Sequence, residues 1–193
     1  MTGAAVRSVR ASGPVPQGIA LPGIILGIGL GGFADGILLH QVLQWHHLLS
    51  SSATAHIDIA SYPVTTVHGL QMNTLWDGIF HTVTWLAVLV GLGILYSRLS
   101  DPRERVWASR VLWGWILLGW GVFNVVEGVI DHHLLAIHHV VSGEHQMLAD
   151  ILFLVLGALL IVGGWLVQRS STPSAHSTPV TPSGPDRGLP SRR

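Results

Sequence analysis

The sequence predicts an all-α integral membrane protein: a four-helix transmembrane bundle built from two parallel helix-hairpin repeats. Three observations carry that expectation. Of 193 residues, 49% are hydrophobic and only 10% charged, where a soluble domain carries about a quarter charged residues. Four stretches are apolar over the roughly 20 residues that a helix needs to cross a bilayer. A thirteen-residue motif at Asp35–His47 recurs at Glu127–His139.

The elements follow in order. Residues 1–17 are polar and read as a disordered cytoplasmic tail ahead of a membrane domain at 18–169. The first span covers about 19–48; its apolar run from Gly18 to Leu39 carries Asp35 as its sole charge. That run is too long, and its leader too polar, for a cleavable signal peptide. Gly23, Gly27 and Gly31 fall at four-residue spacing, which lets helix backbones approach closely in lipid. The second span covers about 73–98, the third 105–132 and the fourth 148–168. Residues 170–193 are rich in Ser, Thr and Pro and read as a disordered cytoplasmic tail.

The charges orient the bundle. All ten basic residues are arginine, and they sit before the first span, between the second and third, and after the fourth. The positive-inside rule puts both termini and the arginine-rich link in the cytoplasm, in a cell membrane. Eleven of the twelve histidines fall at His40–His81 or His132–His145, on the outward side. Cysteine is absent, which excludes disulfides, thiolate metal sites and iron–sulfur clusters. A formal net charge of zero, without basic patches among aromatic platforms, argues against nucleic acid as a partner. The lipid bilayer is the expected partner, and the glycine faces permit homo-oligomers.

The recurring motif carries the chemistry. At an offset of 92 residues Asp35 meets Glu127, Gly36 meets Gly128, His40 meets His132, and His46–His47 meet His138–His139. Between the second and fourth spans the likeness is looser, with Asp77 near Asp150 in register. Both hairpins enter the membrane in the same direction, as in parallel repeats about the membrane normal. At 100° per residue Asp35 and His46 share one stripe, and His40, Gln44 and His47 another. In the second copy Glu127, Asp131 and His138 share a face, while His132 and His139 share the next. Asn73, Asp77 and His81, spaced by four, line one side of the second span. With Trp45 at the outer interface, Asp35 lies about 15 Å deeper, near the midplane.

A charge at that depth costs from about 3 kcal/mol on insertion scales to more than 10 in simulations. It must face the bundle interior and be neutralised, paired or bound to a metal. The leading expectation is a transition-metal site of Asp35, His40, Asp77, His81, Glu127, Asp131 and His132. His46, His47, His138 and His139 then form an outer relay or a second site. Four-helix bundles build such sites from facing carboxylates and imidazoles, and this ligand mixture suits Fe, Zn or Cu(II). A Cu(I) site would draw on Met72 and Met147 beside His68 and His145. Metal capture and delivery, or redox chemistry at the membrane, are the tasks such a site suggests. Whether the chain is an enzyme stays open, with a metal-dependent oxidoreductase favoured over a hydrolase. Three alternatives stand beside it. His40, His81 and His132 could clamp a bis-His haem; the acids and histidines could relay protons or cations; or they could simply bond across helices and fix the bundle. His56 and His133 read as solvated rim residues.

In GGFADGILLHQVLQWHH (31–47), NTLWDGIFH (73–81) and FNVVEGVIDHHLLAIHHV (123–140) the chain resembles a bacterial family of predicted four-span membrane proteins, domain of unknown function 2243. The likeness covers roughly residues 20–168. It implies the four-span fold and no assigned activity. Members near cytochrome-oxidase assembly genes make respiratory oxidase assembly components the partners it suggests, with copper or haem as cargo.

Overall fold

A computed structural model describes residues 18–99 and 109–169; the expected tails and the link bearing Arg103 and Arg105 lie outside the described residues. Four helices in it are long and apolar enough to cross a membrane, and no strand occurs among the described residues. Helix α1 spans Ala20–Asp35, α2 Val67–Leu99, α3 Ser109–Glu127 and α4 Gln146–Arg169. Helices α1 and α3 pack together at the centre, with α2 against α1 and α4 against α3. Accordingly 50% and 44% of the apolar windows of α1 and α3 are buried, against 11% and 17% for α2 and α4. The outer pair therefore offers most of its surface to lipid.

Glycine sets the central contact. A Cβ on Gly27 would run into the carbonyl oxygen of Ile116, and one on Gly119 into that of Ile24. The two contacts are related by the repeat, since Gly119 lies 92 positions after Gly27 and Ile116 lies 92 positions after Ile24. Other contacts recur likewise. Leu26 packs on Gly91 as Leu118 does on Gly164, and Gly36 meets Phe80 and His81 as Gly128 meets Phe153 and Leu154. Beside these glycines Ile19, Leu26 and Ile116 are buried together with Leu95 of α2.

The helix bounds differ from the sequence expectation at the histidine-bearing end. After Asp35 the first helix widens into a π-helical turn over Gly36–Val42, and after Glu127 the third does the same over Gly128–Leu134. Leu43 N–H then bonds Leu38 O at 2.8 Å, and Leu135 N–H bonds Ile130 O at 2.7 Å. Gln44 and Ala136 both take φ of 50°, a left-handed conformation that ends a helix. The first span thus stops at Val42, short of residue 48, and His46, His47, His138 and His139 lie on loops. The wheel that aligned His40, Gln44 and His47 on one stripe does not apply past Val42. Helix α2 begins earlier than 73 because Thr66 caps it, its hydroxyl accepting from Gly69 N–H at 3.1 Å.

The two loops at the histidine-bearing end close over the bundle together. Ser51 N–H bonds Ile137 O at 2.9 Å, and His56 N–H bonds Leu135 O at 2.8 Å. Buried Asn73 anchors the first loop, accepting from Leu49 N–H at 2.9 Å and donating to Tyr62 O at 2.9 Å.

Candidate metal centre

Beneath those loops the structure gathers His40, His46, His132 and His138 with Asp35 and Glu127. All six are buried, and His40, His132 and His138 are among the most deeply buried side chains of the chain. The π-helical turns explain the gathering. An extra residue per turn swings His40 and His132 inward, and the left-handed residues after the turns send His46 and His138 across to the opposite hairpin.

That crossing is reciprocal. His46 Nδ1 donates to Val140 O at 3.0 Å, and His138 Nδ1 donates to Leu48 O at 3.2 Å. Their rings stack with centroids 4.8 Å apart and planes 13° from parallel. Because a carbonyl oxygen only accepts, each Nδ1 carries its hydrogen and each Nε2 is turned to the interior, that of His46 without a partner and that of His138 against Glu127 Oε1.

Two further carboxylates hold the remaining rings from behind. Asp77 accepts from His40 Nδ1 at 2.9 Å, His47 Nδ1 at 2.6 Å and Leu48 N–H at 2.9 Å. Asp150 accepts from His139 Nδ1 at 2.8 Å and Val140 N–H at 3.0 Å, and lies 3.3 Å from His132 Nδ1. Asp77 thus holds one buried imidazole, one loop imidazole and one loop amide, while Asp150 holds a loop imidazole and a loop amide with the His132 ring beside it. A carboxylate behind an imidazole fixes its tautomer and makes its other nitrogen a better donor to a metal.

In front, donors and acceptors crowd together with few bonds between them. His40 Nε2 lies 3.4 Å from Asp35 Oδ2, and His132 Nε2 lies 3.0 Å from Glu127 Oε1. His138 Nε2 lies 2.7 Å from the same Glu127 oxygen. Both oxygens of Asp35, Glu127 Oε2 and the Nε2 atoms of His40, His46 and His132 are buried without a hydrogen-bond partner. Leaving such an atom unsatisfied costs about 1–3 kcal/mol. Two sets of three ligand atoms, from His40, His46 and His138 and from Glu127, His132 and His138, each lie within 4.8 Å of one another. Atoms bound at about 2.0–2.1 Å to one tetrahedral ion sit roughly 3.3 Å apart, so small side-chain adjustments would close either set.

The remaining expected residues fall elsewhere. His47 and His139 lie behind Asp77 and Asp150 and form no part of either set. His81 donates Nδ1 to Asp77 O at 2.7 Å and packs edge-on against Phe33. Asp131 is half-buried and joins neither set. Met147 is 73% exposed, and His68 and His145 are exposed as well. His56 donates to Leu134 O at 3.3 Å on the rim. Asp150 is the residue of the cluster's surroundings that the motif alone did not single out; its loose alignment with Asp77 was the available signal.

Fold and site together define a four-span helical membrane protein with a buried His/carboxylate cluster at one end of its bundle. The chain belongs to the family described as predicted membrane protein (DUF2243), whose model matches residues 22–171. No curated protein and no solved structure matches the chain.

Proposed function

We propose that this protein binds a transition metal, Fe, Cu or Zn, through His40, His46, His132 and His138 with Asp35 and Glu127. The observation that carries the proposal is the set of buried, unpartnered Nε2 and carboxylate atoms facing one another. A divalent ion would satisfy them together, and the four surrounding carboxylates (Asp35, Asp77, Glu127 and Asp150) give the cluster a negative field that favours a cation. Imidazole and carboxylate are the ligands that these metals accept. The contacts that recur at 92 positions support a duplicated hairpin whose two halves each lend ligands to one centre. With the arginines on the cytoplasmic side, the cluster would face outward from the cell membrane, in keeping with metal capture, delivery or redox chemistry there.

The packing favours a non-haem centre over a bis-His haem. Each of the rings of His40, His46, His132 and His138 packs against at least two of the other three, so a porphyrin plane between any opposed pair would have to displace the rest. Helices α2 and α4 carry no titratable side chain through Leu86–Leu95 and Ile151–Val162, which weighs against a relay across the whole membrane.

Metal analysis by mass spectrometry, with an absorption spectrum, tests the proposal on protein purified in mild detergent. We expect bound Fe, Cu or Zn without a Soret band, and less metal in Asp35→Ala and Glu127→Ala proteins than in His56→Ala. Equal metal in all three would refute the site. Asp77→Asn and Asp150→Asn are each expected to weaken metal binding about 10–100-fold without removing a ligand, as read from competition with a chelator. Unchanged affinity would mean that the rear carboxylates do not tune the rings.

A further inference from the structure

A pocket of about 460 Å³ opens beside the cluster between α1, α3 and α4. Its size lies within the range of small-molecule sites, about 300–1,000 Å³. Trp45, Trp120 and Phe153 line it with aliphatic side chains, and Asp35 is its charged group. Leu38, Leu152 and Leu156 at its rim are 53%, 57% and 49% exposed, on helix surfaces that face lipid. Entry is therefore lateral, from the bilayer.

The pocket comes from a difference between the halves. Where it has Gly31 on α1 and Ala149 on α4, the corresponding positions of the other hairpin are Phe123 and Trp76. The Phe123 ring lies against Gly32 and Phe80, filling space that Gly31 leaves open on the pocket side. The acids differ too. Glu127 Oε1 contacts His132 and His138, whereas both oxygens of Asp35 lack a hydrogen bond, with a side chain only 5% exposed. A carboxylate has about four acceptor sites, so Oδ2 can face His40 while Oδ1 serves the pocket.

We propose that this pocket binds a bilayer-soluble lipid of the quinol class, its aromatic head among Trp45, Trp120 and Phe153 and its hydroxyl donating to Asp35. Flat rings suit aromatic walls, the buried Asp35 oxygens without a hydrogen bond, beside Asn124 as the other polar side chain of the lining, call for a donor, and lateral entry calls for a lipophile. Binding needs no ion in the cluster, so it stands apart from the metal proposal.

The test uses the full chain in phosphatidylcholine nanodiscs and a tritiated decyl-substituted dimethoxy-methyl-hydroquinone, read by scintillation proximity. Saturable binding is expected, at least tenfold weaker for the same molecule with both hydroxyls methylated. Ala149→Trp, which restores the bulk of the other hairpin, should weaken binding at least tenfold while metal content stays at the parent level. Leu156→Phe decides the matter should Ala149→Trp not fold. No saturable binding, equal binding of the methylated form, or full binding to the filled pocket would overturn the proposal. A metal-free parent that still binds the hydroquinone would sink the metal proposal alone.

Discussion

Replacing His138 with alanine is expected to lower bound metal at least tenfold, the largest loss of any single imidazole in the cluster. His138 belongs to both candidate ligand sets, so its removal breaks each of them. Loss of His40 or His132 breaks one set and leaves the other whole. The substitution also strands Glu127, whose Oε1 sits 2.7 Å from the His138 ring, and uncovers the Leu48 carbonyl. A ligand contribution of a few kcal/mol corresponds to two or more decades in affinity, at about 1.4 kcal/mol per decade. His56→Ala is the control, because its ring touches a rim carbonyl on the exposed side. Metal-to-protein ratio after dialysis against a weak chelator reads the difference. Retention of parent metal by His138→Ala, with the protein eluting as a folded species, would show that no ion depends on the shared ring.

The sequence carried the four helices and the duplicated motif because both depend on local pattern. Apolar length marks a span, and an acid followed by histidines at fixed intervals is visible without coordinates. The pairing of Glu127 with His138 was legible too, although for a different reason from the one periodicity offers. Eleven residues of continuous helix would align them, yet the helix ends at Leu134 and the loop returns His138 to the acid. What periodicity could not reveal is the crossing of His46 and His138 to the opposite hairpin. It depends on two π-helical turns and on left-handed Gln44 and Ala136, neither of which is a residue type that announces such a conformation. The roles of His47, His139 and Asp150 were hidden for the same reason. They meet through loop backbone, with Leu48 and Val140 amides on the two carboxylates, and no helical wheel contains a loop. The pocket beside Asp35 was equally silent in sequence. It becomes visible only when Gly31 and Ala149 are set against Phe123 and Trp76 in the folded halves.

Gly27→Ala is expected to abolish the folded bundle, and Gly119→Ala to do the same, whereas Gly93→Ala and Gly163→Ala leave it intact. The contrast isolates packing from helix propensity, since all four changes put the same methyl group on a helix. At Gly27 and Gly119 the new carbon would overlap a backbone carbonyl of the facing helix, which cannot rotate aside as a side chain can. Relief requires α1 and α3 to separate. Overpacking of a core commonly costs about 1–3 kcal/mol, and a shift between two whole helices belongs at or above the upper end. Separation also carries His40 away from His138, so any metal should be lost together with the fold. At Gly93 and Gly163 nothing lies within 4 Å of the added carbon, and stability should stay within about 1 kcal/mol of the parent. Size-exclusion profiles in detergent and thermal unfolding read both outcomes. A folded, metal-retaining Gly27→Ala protein would mean that α1 and α3 do not meet at the Gly27–Ile116 and Ile24–Gly119 contact. The two halves of the cluster would then be held together by the loops, through Ser51, His56 and the paired carbonyls of Leu48 and Val140.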